Sequence, residues 1–505
     1  MLEKYLIGVD IGTQGVKAGL FNLDGKCIAQ GFEKSRLYQP SPGVTEEDPE
    51  FQINSVCKVI SDCVKSSSVD INKIEALSID GQMAGVIGIG ENGKNVTPYD
   101  SWLDTRCTPF IEEMKNTACA EITRKTGNPP SINHGPKKLW WKHEKPEEYK
   151  KIKCFVQPGS YAAMQLCSLN AEYAFIDETY LHFSGFANNL QSKWDKELCK
   201  TFEFPMAKLP RIVKPSEIIG ELTKEMARKC DLHTSVKIIA GCGDTAASFL
   251  ACGATEEGVC IDVAGTASVF AATTKDFKPD VEFATLGIGH SVTPGLWHPY
   301  AYINGGGMNP EWFKKVISRF GNNKNINFAE LDKAVESIEL KETLPLFIPH
   351  MAGRVSPSQP ALKGAFAGLD WTHSAEHMYR SVLEGVALEY GIYCKILKKL
   401  FTNLNLKEIR ITGGGQYSES WNQMKSGVLQ VPVVKLKDNL GASVGSALLA
   451  GYGAGIFASL KETSAKWLVI SGKTDASKSV YSFYQNRIQH YEKLMKSLNE
   501  FMEDK

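Results

Sequence analysis

Leu6-Ile-Gly-Val-Asp10-Ile-Gly12-Thr13-Gln14-Gly15-Val-Lys17-Ala-Gly19-Leu-Phe21 decides how this chain reads. A β-rich run from Tyr5 to Val9 ends on the carboxylate of Asp10. A Gly/Thr/Gly turn follows, and Val16 to Phe21 is β-prone again before the turn pair Asp24-Gly25. This is the pattern of a strand–turn–strand–turn–strand meander. Its first turn has what a polyphosphate needs: glycines that let backbone N–H groups come close, the Thr13 hydroxyl, the charge of Lys17, and Asp10 placed to hold a metal through water. A plain hairpin whose Asp10 bonds its own turn would carry the same letters. The stretch is echoed at Val259-Cys-Ile-Asp-Val263-Ala-Gly265-Thr266-Ala-Ser268-Val-Phe-Ala271, again an apolar strand, a Gly-Thr turn and a strand. Two copies about 250 residues apart predict two related lobes, each presenting a hairpin to a shared cleft.

Length and composition narrow what such a cleft serves. At 505 residues there is room for about two to four domains with ample core. Lys+Arg equals Asp+Glu at 57 each, so no overall field recruits nucleic acid or an anionic membrane, and a small substrate is expected. Thirteen cysteines are scattered from Cys27 to Cys394 with no Cys-x-x-Cys pair for zinc or redox work. Several, including Cys63, Cys167 and Cys260, sit in apolar runs where a thiol acts as a small hydrophobe, which points to a reducing compartment. Met1 leads straight into the first strand, leaving no room for a signal peptide, and no apolar run reaches the ~18 residues of a membrane span. The expectation is a cytoplasmic protein without nucleic-acid or membrane partners. Its oligomeric state, a homodimer included, stays open.

Downstream, helical and strand patterns alternate. Pro49 to Ser66 repeats apolar residues at helical spacing (Phe51, Ile53, Val56, Val59, Ile60, Cys63), and Ile74 to Ile79 reads as a strand. Val86 to Ile89 and Val96 to Tyr99 flank Glu91-Asn92-Gly93-Lys94, a strong hairpin signal. Residues 109–170 read as mainly helical, with breaks at Gly127-Asn-Pro-Pro130 and Gln157-Pro-Gly159. Val236 to Ala240 is a buried strand leading into a helix from Asp244 to Cys252. Trp371 to Phe401 reads as a long helix, Ile409 to Thr412 as a strand, Glu419 to Leu429 as a helix, and 480–503 as an amphipathic helix. The class is α/β, with domains at 1–245 and 246–505.

Three motifs point elsewhere and fail on context. Gly88-Ile-Gly90-Glu-Asn-Gly93 spells the dinucleotide fingerprint, but a strand and turn follow it where a phosphate-binding helix is needed. Ser471-Gly472-Lys473-Thr474 resembles the end of a Walker A loop, but its first glycine position is Trp467. His373-Ser-Ala-Glu376-His377 fits an inverted zincin pattern, but it suits a helix start capped by Thr372 and has no further ligand cluster nearby.

Asp244, in Gly241-Cys-Gly-Asp244, stands between a buried strand and a helix. It reads as an N-cap, and an N-cap carboxylate at a cleft is also oriented to accept a proton. Gly413-Gly-Gly415-Gln-Tyr-Ser418 reads either as a strained strand-to-helix turn capped by Ser418 or as a flat seat for a nucleoside. Trp102-Leu-Asp104-Thr-Arg106 is surface packing or, with Gln82 and Met83, a polyol wall of amide, carboxylate, guanidinium and indole.

In this order and spacing these pieces, with Gly81-Gln82-Met83, Ala264-Gly-Thr266-Ala-Ser268, Phe366-Ala-Gly-Leu369 and Val382-Leu-Glu-Gly-Val-Ala387, resemble the FGGY carbohydrate kinases over nearly the whole chain, most closely the xylulokinases. The resemblance implies a two-lobed actin-like ATPase (ribonuclease H-like) fold with an interlobe cleft. It also implies ATP-dependent phosphorylation of a small sugar or polyol, such as the ketopentose xylulose, with Mg2+. It assigns Asp244 as general base and Gln82, Met83, Trp102, Asp104 and Arg106, with Asp244, as sugar-binding residues. Asp10 would hold Mg2+; Gly12, Thr13, Gln14, Lys17, Gly265 and Thr266 would cradle phosphates. Adenosine would lie at Gly414, Gly415 and Ser418 and near Gly305 and Gly306. Two letters depart from the xylulokinase pattern: Ala84 stands where His is usual after Gly-Gln-Met, and Thr245 where Asn or Gln follows the catalytic Asp. Ribulose, a pentitol or gluconate are therefore alternatives. An actin-like ATPase switch that gates a partner is the alternative of another class, and a nicotinamide oxidoreductase a remote third.

Overall fold

The computed structural model describes residues 3–320, 326–437 and 441–504. Strands β1 (Tyr5–Gly12), β2 (Gly15–Asn22) and β3 (Cys27–Lys34) form the expected antiparallel meander, with Asp10 opposite Lys17 and Gly12 opposite Gly15. Strand β4 (Ile74–Gly81) lies parallel to β1 on its other side. Strand β5 (Ile218–Glu221) closes the far edge, antiparallel to β6 (Lys237–Gly243), which runs parallel to β4. The order across this sheet is β3-β2-β1-β4-β6-β5.

The second half repeats the plan. Strands β7 (Val259–Ala264) and β8 (Ser268–Ala272) form the echoed hairpin, β9 (Gly287–His290) and β10 (Trp297–Ile303) extend it, and β11 (Glu408–Thr412), β12 (Val433–Leu436) and β13 (Ile470–Thr474) complete it. The order is β9-β10-β8-β7-β11-β12-β13. Setting aside the added edge strand β9, pairings run antiparallel, antiparallel, parallel, parallel, antiparallel in both sheets. Parallel strands must be covered on both faces, and helices do this in each half.

Helix α1 (Pro49–Ser66) starts where expected because the Asp48 carboxylate accepts the Glu50 N–H and Pro49 tolerates the first turn. It buries Ile53, Val56, Val59 and Ile60 under the meander. Helix α2 (Asp244–Ala251) leaves the end of β6. Helices α3 (Met308–Phe320), α4 (Ala375–Leu400) and α5 (Glu419–Leu429) belong to the second half. Helix α6 (Ala442–Gly453) follows β12 but lies on the first sheet, its Ala447, Leu448 and Leu449 in one core with Leu6, Ala76 and Ile239. Helix α2 reciprocates: Phe249 is buried with Val259, Ile261 and Val434 of the second sheet. The two helices cross backbone to backbone. A Cβ on Gly445 would stand 2.0 Å from the Ala247 carbonyl oxygen, and one on Gly8 would stand 1.9 Å from that of Ser443. Helix α7 (Tyr481–Glu503) packs on α4.

A second bridge joins the halves through other elements. The Ile288 N–H of β9 donates to the Gly127 carbonyl at 2.8 Å, His290 Nε2 donates to the Asn189 carbonyl at 2.9 Å, and His182 Nε2 meets the Tyr300 hydroxyl at 2.9 Å.

Most elements fall within a residue or two of their expected bounds, with two corrections. The long helix expected from Trp371 begins at Ala375, capped by Ser374, because Asp370 captures the Thr372 N–H and hydroxyl and so holds 370–372 in a turn. The helical stretch expected over 109–170 contains a buried strand, Cys154–Val156, that pairs with Val86–Ile89. The three misleading motifs fall on a hairpin strand, on edge strand β13 and on the cap of α4. None of the thirteen cysteines is in a disulfide. Among the described residues no helix is long and apolar enough to cross a membrane.

An alanine in a helix interior normally gains about 1 kcal/mol over glycine. Gly445→Ala is expected to reverse the sign and cost about 1–3 kcal/mol, because its Cβ meets backbone of α2 that cannot give way. Gly414→Ala, whose Cβ meets nothing within 4 Å, is the control. Equal denaturation midpoints for the two variants would contradict the crossing.

Candidate active site

The carboxyl ends of β1, β4 and β6 bring three aspartates together. Asp10 pairs in register with Asp80, and Asp80 with Cys242, two residues before Asp244. Asp244 is the first residue of α2, and the cap position falls to Gly243. The capping role expected for Asp244 is therefore absent. Its Oδ1 instead accepts the Thr245 N–H at 2.5 Å and the Thr245 hydroxyl at 3.1 Å, and the residue stays half-buried. Burial, then the charge of Asp10, push its proton affinity up to about 7. Asp80 is fully buried; its Oδ2 accepts the Ser446 hydroxyl of α6 at 2.6 Å, and its Oδ1 has no donor. Burial and then Asp10 hold it well above the usual carboxylate range. Asp10 is raised by burial, opposed by Lys17 across the hairpin.

Asp80 was missed by sequence reasoning. The signal was there: like Asp10 and Asp244, it is a carboxylate at the end of an apolar strand. The strand end is braced from behind, where the Gly243 N–H donates to Thr179 Oγ1 at 2.9 Å and the Tyr180 hydroxyl donates to the Gly81 carbonyl at 2.8 Å.

The expected sugar wall divides in two. Met83 packs its sulfur on Gly243, where a Cβ would stand 1.8 Å away, and its carbonyl accepts His134 Nε2–H at 2.6 Å; burial keeps that imidazole neutral. Trp102 reaches the first hairpin, its indole N–H donating to Thr13 Oγ1 at 2.8 Å, and keeps 38% of its surface exposed. The other three turn inward. Gln82 is fully buried and donates to Glu47 Oε1 at 2.8 Å. Asp104 accepts the Thr45 N–H at 2.8 Å and the Arg106 N–H at 3.1 Å. Arg106 is paired with Glu46, Asp100 and Asp104 at 2.8–2.9 Å and stacks over Trp140 at 4.4 Å.

The glycine loops of the second half converge. A Cβ on Gly307 would stand 2.1 Å from the Gly265 oxygen, and one on Gly413 would stand 2.6 Å from the Ala264 oxygen. The Met308 N–H donates to the Thr266 carbonyl at 3.2 Å. Gly305 has a positive φ of 86°, and a Cβ on Gly306 would stand 2.1 Å from the Ser268 hydroxyl. Gly414 faces open space, with Gly415 packed on Trp421 behind it. Ser418 caps α5 through the Trp421 N–H and donates to Asp332 at 2.7 Å. On the first hairpin Gln14 and Lys17 are exposed and Gly12 and Thr13 half-buried. The Ser446 hydroxyl of α6 meets Asp80 at the carboxyl end of β4, and the carboxyl ends of strands are where open α/β sheets bind ligands.

A family model for the N-terminal domain of FGGY carbohydrate kinases matches residues 5–251, and one for the C-terminal domain matches residues 261–454. The chain belongs to the FGGY family of carbohydrate kinases. This FGGY kinase is 25% identical to a xylulose kinase of Bacillus subtilis (strain 168) over 99% of each chain. It is 26% identical to a gluconokinase of the same organism over 90% of this chain and 88% of the other. It superposes on xylulose kinase from Rhodospirillum rubrum with a TM-score of 0.90 at 23% identity, covering 99% of this chain and 100% of that one. A gluconate kinase from Lactobacillus acidophilus gives 0.90 at 23% identity, over 98% of each chain. The FGGY kinase has the two-domain actin-like ATPase fold of these structures.

A carboxyl that holds its proton to about pH 7 when folded, but only to about 3.9 when unfolded, loses stability as pH rises between those values. The full cost is present above neutrality. Asp244→Asn is therefore expected to stabilise the FGGY kinase by about 2–4 kcal/mol near pH 8 and hardly at all near pH 4, as read by urea melts at both. No gain at the higher pH would show that the carboxylate is unstrained.

Proposed function

We propose that this FGGY kinase transfers the terminal phosphoryl group of ATP to a hydroxyl of an uncharged small sugar or polyol, with a ketopentose such as xylulose as first candidate. The observation that carries this reading is Asp244: a half-buried carboxyl beside two others, with its proton affinity raised to about 7. A base tuned near the working pH is what removal of a hydroxyl proton requires, a contribution of about 10²–10⁴-fold. Asp244 Oδ1 is held by Thr245, so Oδ2 is the atom that would take the proton. Met83 and Trp102 would present an apolar edge and an indole face to the C–H side of the sugar, while Glu47, Gln82, Asp104 and Arg106 would stiffen the wall behind them.

The residues fit a nucleotide. Converging loops at Gly265, Gly307 and Gly413 approach too closely for side chains, and an open face at Gly414 leaves room for a base. Thr13, Gln14, Lys17 and Thr266 would meet the phosphates. Mg2+ also fits. Asp10 and the donorless Asp80 Oδ1 supply hard oxygens, and among the described residues no group of three or more His, Cys, Asp or Glu forms a metal cage. That suits a cation held mainly through water and phosphate. When bound, it would supply neutralisation of phosphate charge. Catalysis in phosphoryl transfer is mostly positioning and electrostatics, and this chain's residues provide for both.

The sugar wall favours an uncharged substrate over an aldonate. Arg106 is surrounded by three carboxylates, and Lys137 donates to the Ser101 and Asp104 carbonyls at 2.8 and 2.9 Å. Lys138 is buried, with burial lowering it to about 8. Lys94 and Lys142 also bond protein oxygens, and Lys138 Nζ, without a hydrogen-bond partner, lies against the Phe186 and Trp194 rings, whereas Asp244 would repel a substrate carboxylate.

ATP turnover should be measured with xylulose, ribulose, pentitols, glycerol and gluconate. One neutral compound is expected to raise turnover, gluconate is not, and Asp244→Asn should lower kcat by about 10²–10⁴-fold. Because the base must be ionised, kcat/KM for the active compound should climb through pH values about 7 and level off above. Preference for gluconate would overturn the uncharged-substrate reading. Sugar-independent turnover, unchanged in the variant, would favour a nucleotide-gated switch.

A further inference from the structure

The core of the second half contains a charge pair that the chemistry above does not use. Asp262 lies in the middle of β7 and Lys425 on α5; both are fully buried. Lys425 Nζ bonds Asp262 Oδ2 at 2.5 Å, and the Tyr390 hydroxyl of α4 donates to Oδ1 at 2.7 Å. Their surroundings are apolar, with Phe270, Val386, Ile411 and Val433 in the same core. Two ions there gain little over apolar residues of the same volume, so stability does not account for them. Direction does. Apolar packing is non-directional and lets a helix roll, whereas a bonded carboxylate fixes the angle between the elements that meet on it.

The elements that meet here are those carrying the glycine loops. Asp262 stands two residues before Ala264, whose carbonyl lies against Gly413, and three before Gly265. Lys425 Nζ sits 4.0 Å over the Trp421 ring. Trp421 lies under Gly415, where a Cβ would stand 3.0 Å from it, and its N–H is capped by Ser418 at 3.2 Å. A roll of α5 would carry Trp421 and Ser418 with it and separate the 413–415 turn from the 264–266 turn.

We propose that Asp262, Lys425 and Tyr390 are positioning residues that hold the 264–266 and 413–418 loops in the register that binds the nucleotide. This rests on the kinase reading. The test uses Asp262→Leu/Lys425→Met, which removes both charges without leaving either one buried alone, and Tyr390→Phe, which removes one hydroxyl. Affinity for a fluorescent ATP analogue is measured directly, alongside the melting temperature and the KM of the active sugar. The double variant is expected to melt like the wild type, keep its sugar KM and bind the nucleotide about tenfold or more weakly. Tyr390→Phe should weaken it about threefold to tenfold. Nucleotide affinity within twofold of wild type in the folded double variant, or in Tyr390→Phe should the double variant not fold, overturns the proposal. A wild type that binds no nucleotide overturns instead the kinase reading on which it rests.

Discussion

The crossing of α2 and α6 is the contact on which the rest depends. Each helix leaves the parallel strands of one sheet and is buried against the other, and they meet where Gly445 lies on the Ala247 carbonyl. Without that close approach the carboxyl ends of the two sheets would be two separate edges. With it, Ser446 of the second half hydrogen-bonds Asp80 of the first. Glycine is required there by distance, since any side chain would hold the helices apart.

The site so assembled is electrostatically uncomfortable. Three aspartates converge where burial removes the water that would screen them, and Lys17, Ser446 and Thr245 offset only part of the cost. Strongly shifted carboxyls of this kind cluster at functional sites, where a proton or a cation would relieve the tension.

Much of this was legible in the residues themselves. The hairpin at Gly12-Thr13-Gln14-Gly15 and its echo at Gly265-Thr266 are local patterns, so the strands they imply form where expected. Asp244 stood out through the family resemblance, since a carboxylate between a buried strand and a helix reads by itself as an ordinary N-cap. Asp80 hid because its strand was read only to Ile79, and nothing local revealed that its neighbours in the sheet would be β1 and β6. The ion pairs of Arg106 are not legible in the sequence, because its partners Glu46 and Asp100 are brought to it by pairing between Glu46–Glu47 and Asn95–Asp100. The crossing was invisible for the same reason. Ala442-Ser-Val-Gly445-Ser-Ala reads as any small-residue helix until the sheet it lies on is known.

The edge strand β9 adds a second point of attachment, bonded to Gly127 on the opposite half. His182, which meets Tyr300 across this second attachment, lies in the same short helix (Glu178–Phe183) as Thr179 and Tyr180, which brace the strand ends carrying the aspartates. The two halves are thus tied on two sides of the site, at Ser446 on Asp80 and through the turn that holds Gly81 and Gly243 in place.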